Sequence, residues 1–236
     1  MILKPDERTR PRETYWESIA RTRWGAYITE VEKRVILMGH ELLIKPTSAI
    51  EVGCEGGRWS QLLSNLGWNM TCSDVNLESL NICQERIPNA TCIHVDPTDN
   101  KLPCSSESMR LMLCIEVAPV IHAEWFIDES SRVLQNNGLL IGVCLNSYSL
   151  RGYFASRKAL LSGNYNSYTT EYSSWRKKLV NNGFSVQYEE GFCWFPFRRR
   201  SDSVLVPYFV WLEKVLSLRN WITVSPWIIF IARKQP

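Results

Sequence analysis

Acidic residues at the ends of apolar runs are the part of this chain best equipped for chemistry. Glu51 lies near the end of the small, β-leaning run Ser48 to Val52, just before a turn holding three glycines, Gly53-Cys54-Glu55-Gly56-Gly57. Asp74 ends a second run, Asn69 to Val75, seventeen residues after Gly57. Asp96 ends a third, and Glu116 closes the apolar stretch that opens at Arg110. A glycine turn between strand and helix offers backbone N–H groups and a helix N-terminus to a ligand. A diphosphate is a poor match. The spacing is G-x-x-G-G rather than G-x-G-x-x-G, and Glu55 puts a negative charge inside the turn. Glu51 and Glu55 better suit a ligand with an ammonium or sulfonium group and one carboxylate. An acid at the tip of the second strand can accept hydrogen bonds from both ribose hydroxyls, which points to a nucleoside.

S-adenosylmethionine has all of these features. The stretch resembles motif I of the class I S-adenosylmethionine-dependent methyltransferases of the small-molecule, type 11-like kind, which reads E-x-G-x-G-x-G. Glu51, Gly53 and Gly57 fall on that pattern, Glu55 stands where the middle glycine would be, and Gly56 lies one place later. The resemblance implies that Glu51 sits below the methionine portion and that Gly53, Cys54, Gly56 and Gly57 let the backbone approach it. It implies that Asp74 and Val75 hold the ribose, that Asp96 and Pro97 frame the adenine, and that Glu116 lies near the reactive end. Leu102-Pro103-Cys104 is similar to the close of the family's D-x-x-x-x-L-P-F segment, with Cys104 in the aromatic place. The implied reaction is methyl transfer to a small acceptor by in-line displacement, with S-adenosyl-L-methionine as cosubstrate and no metal.

The remaining candidates concern the acceptor. An oxygen or carbon nucleophile that is not already ionised needs a base. His122, just beyond the fourth strand, is the best-placed catalytic candidate, although a histidine in an apolar stretch is more often structural. On the family analogy, N-terminal helices form a lid, and Arg23 and Trp24 are candidates for contact with substrate. Tyr153 and Trp194 are candidates from the later aromatic-rich region, which favours a partly aromatic or apolar acceptor. Arg198-Arg199-Arg200 reads as a solvated loop, with the alternative that it holds an anionic group.

These residues must be positioned by alternating strands and helices. The spacing predicts helices from Glu13 to about Leu43, divided at Gly25, then the strand, turn and helix around motif I. Strand and helix alternate through Leu145, with Asn136-Asn137-Gly138 as the stop of the fifth helix. An insert over the sheet edge covers Asn146 to Tyr172. It includes Gly163-Asn164-Tyr165-Asn166 and is followed by a helix to Asn182. The strand Phe184 to Glu190, a mostly apolar helix from Val204 to Leu218, and a strand from Pro226 to Arg233 complete the chain; that helix is expected in the core, with docking on a membrane surface to reach a lipid as the alternative. The expected fold class is α/β: a Rossmann-like, doubly wound, seven-stranded sheet with an antiparallel last strand, an N-terminal helical lid and an insert after the fifth strand. The expected organisation is one domain over 1–236, with a lid (1–45), a cosubstrate core (46–145), an insert and helix (146–182) and terminal strands (183–236). Residues 1–13 read as a mobile lead-in.

Composition narrows the partners. A net charge of +3 on 236 residues does not argue for nucleic acid. No apolar run approaches the ~20 residues of a membrane span, so no integral membrane segment is expected. The eight cysteines include no C-x-x-C pair, and His40, His94 and His122 are widely separated, so no zinc site is expected. With no signal peptide read at the start, this cysteine usage points to a reduced, cytoplasmic setting. Two alternatives share the sheet: an NAD(P)-dependent oxidoreductase, and a catalytically silent methyltransferase-fold protein that binds a partner.

Overall fold

The computed structural model describes residues 14–162 and 166–236. The lead-in 1–13 and Gly163-Asn164-Tyr165 of the insert lie outside the described residues. In chain order the elements are α1 (Tyr15–Ala20), α2 (Arg23–Glu41), β1 (Ser48–Val52), α3 (Arg58–Asn65), β2 (Asn69–Asp74), α4 (Leu77–Arg86), β3 (Thr91–His94) and β4 (Met109–Cys114). Then follow α5 (Ala118–Ile121), α6 (Phe126–Val133), β5 (Leu134–Leu145), α7 (Leu150–Ser162), α8 (Tyr172–Asn181), β6 (Phe184–Phe192), α9 (Val206–Val215) and β7 (Trp227–Lys234).

The strands form one sheet in the order β3-β2-β1-β4-β5-β7-β6. β1 to β5 pair in parallel, and β7 runs antiparallel to both β5 and β6. The order reverses between β1 and β4, where open α/β sheets leave a crevice at their C-terminal edge. The central strands read as near-continuous apolar runs because both of their faces are covered. Ala49, Leu111, Leu113, Ile229 and Ile231 face a core with α2, α3 and α4, and Ile50, Met112, Ile228 and Phe230 face a second core with α5, α6 and α8. Full burial of each leucine, isoleucine, methionine or phenylalanine among them is worth roughly 1.5–3 kcal/mol.

Three local expectations are corrected. The helical lead-in breaks at Arg21–Thr22 rather than at Gly25, and the Thr22 hydroxyl caps α2 by accepting the Gly25 N–H at 3.1 Å. Gly25 is instead where the two helices touch, since a Cβ there would lie 2.0 Å from the Ile19 carbonyl oxygen. Asn136-Asn137-Gly138 does not stop a helix, because α6 has already ended at Val133. It lies inside β5, opposite a register shift between Met109 and Leu111, and Asn137 has φ +64°. Finally, α9 is a core helix on one face only: Val206 joins the core and Val210 packs against it, but of its ten residues only Val206 and Glu213 are buried.

Candidate active site

The C-terminal ends of β1, β2, β3 and β4 border a cleft of about 550 Å³. A smaller polar chamber of about 50 Å³ continues from it, sharing Trp16, Gly53, Glu55, Glu116 and Val117 as walls. Asp74, Val75, Asp96 and Pro97 line the cleft, Gly53 and Glu116 line both spaces, and Glu51 and Cys54 line the chamber. Glu51, Asp74 and Asp96 therefore surround one continuous space.

The turn is shaped by backbone conformations that few residues adopt. Gly53 and Gly57 have φ of +69° and +76°, and Glu55 takes the left-handed region at +49°. A Cβ on Gly57 would also come within 2.5 Å of Cys83 Sγ, so a side chain is barred on two counts. Gly56 and Gly57 do not line the cleft. They face Thr14, Arg86 and Cys83, and let α1 and α4 close on the back of the turn.

Each acid has a distinct setting. Asp74 accepts the Glu55 N–H on one carboxylate oxygen and the Asn76 N–H on the other, both at 2.8 Å. The Asp96 carboxylate is held below its ordinary range by hydrogen bonds from the Thr98 hydroxyl and backbone N–H. Glu51 accepts the Ser60 N–H at 2.8 Å and the Ser60 hydroxyl at 2.5 Å. Burial nevertheless pushes its carboxyl up to about 8. Such a site gains from a cation that restores the ionised form. Behind the chamber, burial and the adjacent Glu116 push the Glu32 carboxyl well above its ordinary value. Arg58 bonds Glu32 and Thr29 at 3.2 and 2.9 Å, while Arg199 pairs with Glu116 at 3.3 Å.

A clasp covers the chamber. Trp16 on α1 donates its backbone N–H to the Glu55 carboxylate at 3.3 Å. Glu17, one residue on, takes both arms of Arg86 at 2.8 Å, and Arg86 also reaches the Gly56 carbonyl at 2.9 Å. The residue that departs from the E-x-G-x-G-x-G spacing thus joins the lid to the turn with its side chain. Its N–H meanwhile serves Asp74. The arginine run is not a solvated loop throughout. Arg199 stacks over Trp16 and Trp227, at 4.5 and 5.0 Å from their ring centres, and Arg200 stacks over Tyr15 at 4.7 Å.

Other candidates fall outside the cleft. His122 caps the end of α5, its Nε2 accepts the Leu145 N–H at 3.3 Å, and burial lowers its pKa to about 4. Trp24 is buried against Tyr27 and Phe197, and Arg23 pairs with Asp202. Tyr153 is exposed on α7 with Arg157 over its ring. Trp194 donates its backbone N–H to Glu213, beside α9. Sequence reasoning missed Trp16, Arg58, Ser73, Asn76, Lys101 and Trp125 as cavity walls. For Ser73 and Asn76 the signal was present, since they flank Asp74. Trp16 carried none beyond its aromatic type. The fold also gathers Cys54, Cys72 and Cys83, whose sulfurs lie within 4.8 Å of one another in the core behind the turn. Spacing along the chain gave no hint of that cluster.

Residues 50–142 match the family model described as "Methyltransferase domain". No curated protein matches the chain in sequence. Among solved structures the chain is similar to an S-adenosylmethionine-dependent methyltransferase from Mesorhizobium loti (13% identity, 79% of this chain and 90% of that one, TM-score 0.56). It is also similar to a TehB-like S-adenosylmethionine-dependent methyltransferase from Corynebacterium glutamicum (14% identity, 84% and 88%, TM-score 0.52). A third is geranyl diphosphate methyltransferase in complex with geranyl diphosphate and sinefungin (12% identity, 83% and 76%, TM-score 0.55). At these identities the structural likeness speaks for the fold, and the family match covers the strands that build the cleft. Residues 50–142, which build that sheet core, thus match a methyltransferase domain, and the chain shares the fold of S-adenosylmethionine-dependent methyltransferases.

Proposed function

We propose that the chain is a single-domain, cytoplasmic enzyme that methylates a small, partly aromatic or apolar acceptor. When bound, S-adenosylmethionine supplies a methyl group on a positively charged sulfur, open to in-line attack. One observation carries the reading: Glu51, Asp74, Asp96 and Glu116 border one continuous cavity beside a glycine turn. The buried Trp59 Nε1 at that cavity has no hydrogen-bond partner among the described residues, which fits a polar ligand end.

In this reading Asp74 holds the ribose hydroxyls, with Val75 against the sugar, and Asp96 and Pro97 frame the adenine. Glu51, Gly53 and Cys54 surround the methionine portion, and Glu116 faces the reactive end. Gly56 and Gly57 act indirectly, by letting the turn close. Arg58, which lines the chamber while also bonding Glu32, is the cation this reading assigns to the ligand's carboxylate. Bringing nucleophile and methyl together supplies much of the rate, so the walls act chiefly by orientation and exclusion of water. His122 stays a candidate base only if the acceptor reaches the end of β5. Arg23, Trp24, Tyr153 and Trp194 become acceptor contacts only if α2, α7 or the loop after β6 shifts toward the cleft.

Calorimetry with S-adenosylmethionine, its demethylated product and NAD tests the reading. Binding of the first two is expected. Binding of NAD alone would instead support an oxidoreductase, and silence toward all three would support a partner-binding protein.

A further inference from the structure

A helix that is apolar on most sides belongs in a core or against lipid, and α9 gives the core only one face, through Val206 and Val210. Leu205, just before it, and Tyr208, Trp211 and Val215 along it are exposed, as are Leu216 and Trp221 beyond it, with Trp211 at 55% and Trp221 at 58%. α7 repeats the pattern: Tyr153 and Phe154 are exposed, and Leu160 and Leu161 stand at 86% and 89%. Both helices belong to one edge of the sheet. α7 leaves the C-terminal end of β5, while α9 links the end of β6 to the start of the antiparallel β7. Arg151 ties them by donating to the carbonyls of Cys193 and Phe197, in the loop that leads to α9. That loop continues to Arg199, which stacks on Trp16 at the wall of the cosubstrate cleft.

Charge identifies the occupant. Residues 150–162 and 198–224 carry eight Arg and Lys and only two acids, in a chain whose net charge is +3; Arg151 and Arg199 turn inward, and the other six cations are exposed. Both acids are spent within the protein. Glu213 is buried, accepting from Tyr27 and from the Trp194 N–H, and Asp202 pairs with Arg23. What faces outward is Trp, Tyr and Leu among Arg and Lys. That is the composition of a surface lying in the headgroup region of an anionic bilayer, with amphipathic rings at the boundary and cations on the phosphates. A protein partner would meet a surface with almost no acid to pair with.

We propose that the edge formed by α7 and α9 docks on an anionic lipid bilayer, and that the acceptor is an amphiphile drawn from it. This rests on the methyltransferase reading above and adds the substrate class. The full chain is mixed at low salt with vesicles of phosphatidylcholine, with or without phosphatidylglycerol, and bound protein is separated by flotation. Calorimetry with S-adenosylmethionine is run on the same preparation. The expected result is binding at least about tenfold stronger to the anionic vesicles, weakened by salt. The paired substitution Trp211→Ser and Leu216→Ser should lower it about tenfold or more, with an unchanged melting temperature. Because both side chains are already exposed, a folding defect is not the expected cause of loss, and Leu161→Ser provides an independent check on α7. Failure to bind vesicles, with cosubstrate still bound, overturns the docking surface alone. A stable dimer in sedimentation that ignores vesicles overturns it in favour of a second copy. Vesicle binding without cosubstrate binding supports the surface and overturns the reading on which the acceptor class rests.

Discussion

The two ends of the sheet's C-terminal edge are built on opposite terms. At β1 to β4, short loops hold carboxylates in fixed hydrogen bonds around a cleft, and Asp74 and Glu51 each take two bonds from neighbouring groups. At β5 to β7, long connections carry α7 and α9, whose large side chains lie mostly in solvent. The first end holds its polar groups fixed, as the proposed nucleoside site requires. The second offers area and charge with few fixed polar groups, as suits a ligand recognised by its apolar bulk. The contrast shows why the family match runs over residues 50–142 and stops before α7. Strand-end chemistry fits a motif, and an exposed apolar surface does not.

The sharpest way to break this contrast is at Asp74. Asp74→Ala removes the acceptor for the Glu55 and Asn76 N–H groups together with any ribose contact. Taking about 1.4 kcal/mol for each of two hydrogen bonds to a charged group, affinity for S-adenosylmethionine should fall about 100-fold by calorimetry. Unchanged affinity would mean that the first end is not preorganised for a ribose.

A smaller effect with a clear pH signature is expected at Glu51. Its folded-state pKa of about 8 lies above the ordinary carboxylate value, so between roughly pH 4.5 and 8 the folded chain keeps a proton that the unfolded chain has lost. This contribution is therefore favourable at low pH and is lost as pH rises through that window. Glu51→Gln should flatten the fall of melting temperature with pH. A cationic ligand that requires the ionised carboxylate should also release a proton on binding near pH 7, measurable in buffers of different ionisation enthalpy. The Gln variant should show no release, with affinity about tenfold weaker.

The smallest catalytic effect is expected at His122. His122→Ala strips the Leu145 N–H of its acceptor and should cost about 1–2 kcal/mol of stability, read by denaturant unfolding. Turnover should stay within about twofold, because His122 lies outside the cleft walls. A hundredfold loss would instead place the acceptor at the end of β5 and erase the division between the two ends.

Much of the first end was legible in the chain because strand ends and turns are local. Glu51, Asp74 and Asp96 each follow an apolar run, and α4 begins and ends where its cap and break residues stand, at Asn76 and before Pro88. Trp16, Arg58 and Arg199 were not legible as site residues. Their neighbours are distant in sequence: Trp16 meets Glu55 and Arg199, and Arg199 meets Glu116. α9 was misread for a different reason. Its apolar pattern is real, but pattern alone cannot distinguish a helix covered by its own chain from one left for something else to cover. The arginine run failed similarly, since stacking on aromatic rings leaves no periodic trace.

The antiparallel insertion of β7 also bears on how the molecule is made. β5 and β6 are never neighbours in the finished sheet: β5, already beside β4, keeps its other border open, and β6 has no partner, until residues 227–234 have left the ribosome. Until then the nascent chain carries two bare strand borders, an invitation to mispairing that chaperones must guard. The nucleoside pocket has no such wait. All four strands that border it are translated by Cys114, and the last of its walls, Trp125, follows soon after, well before the other half of the sheet.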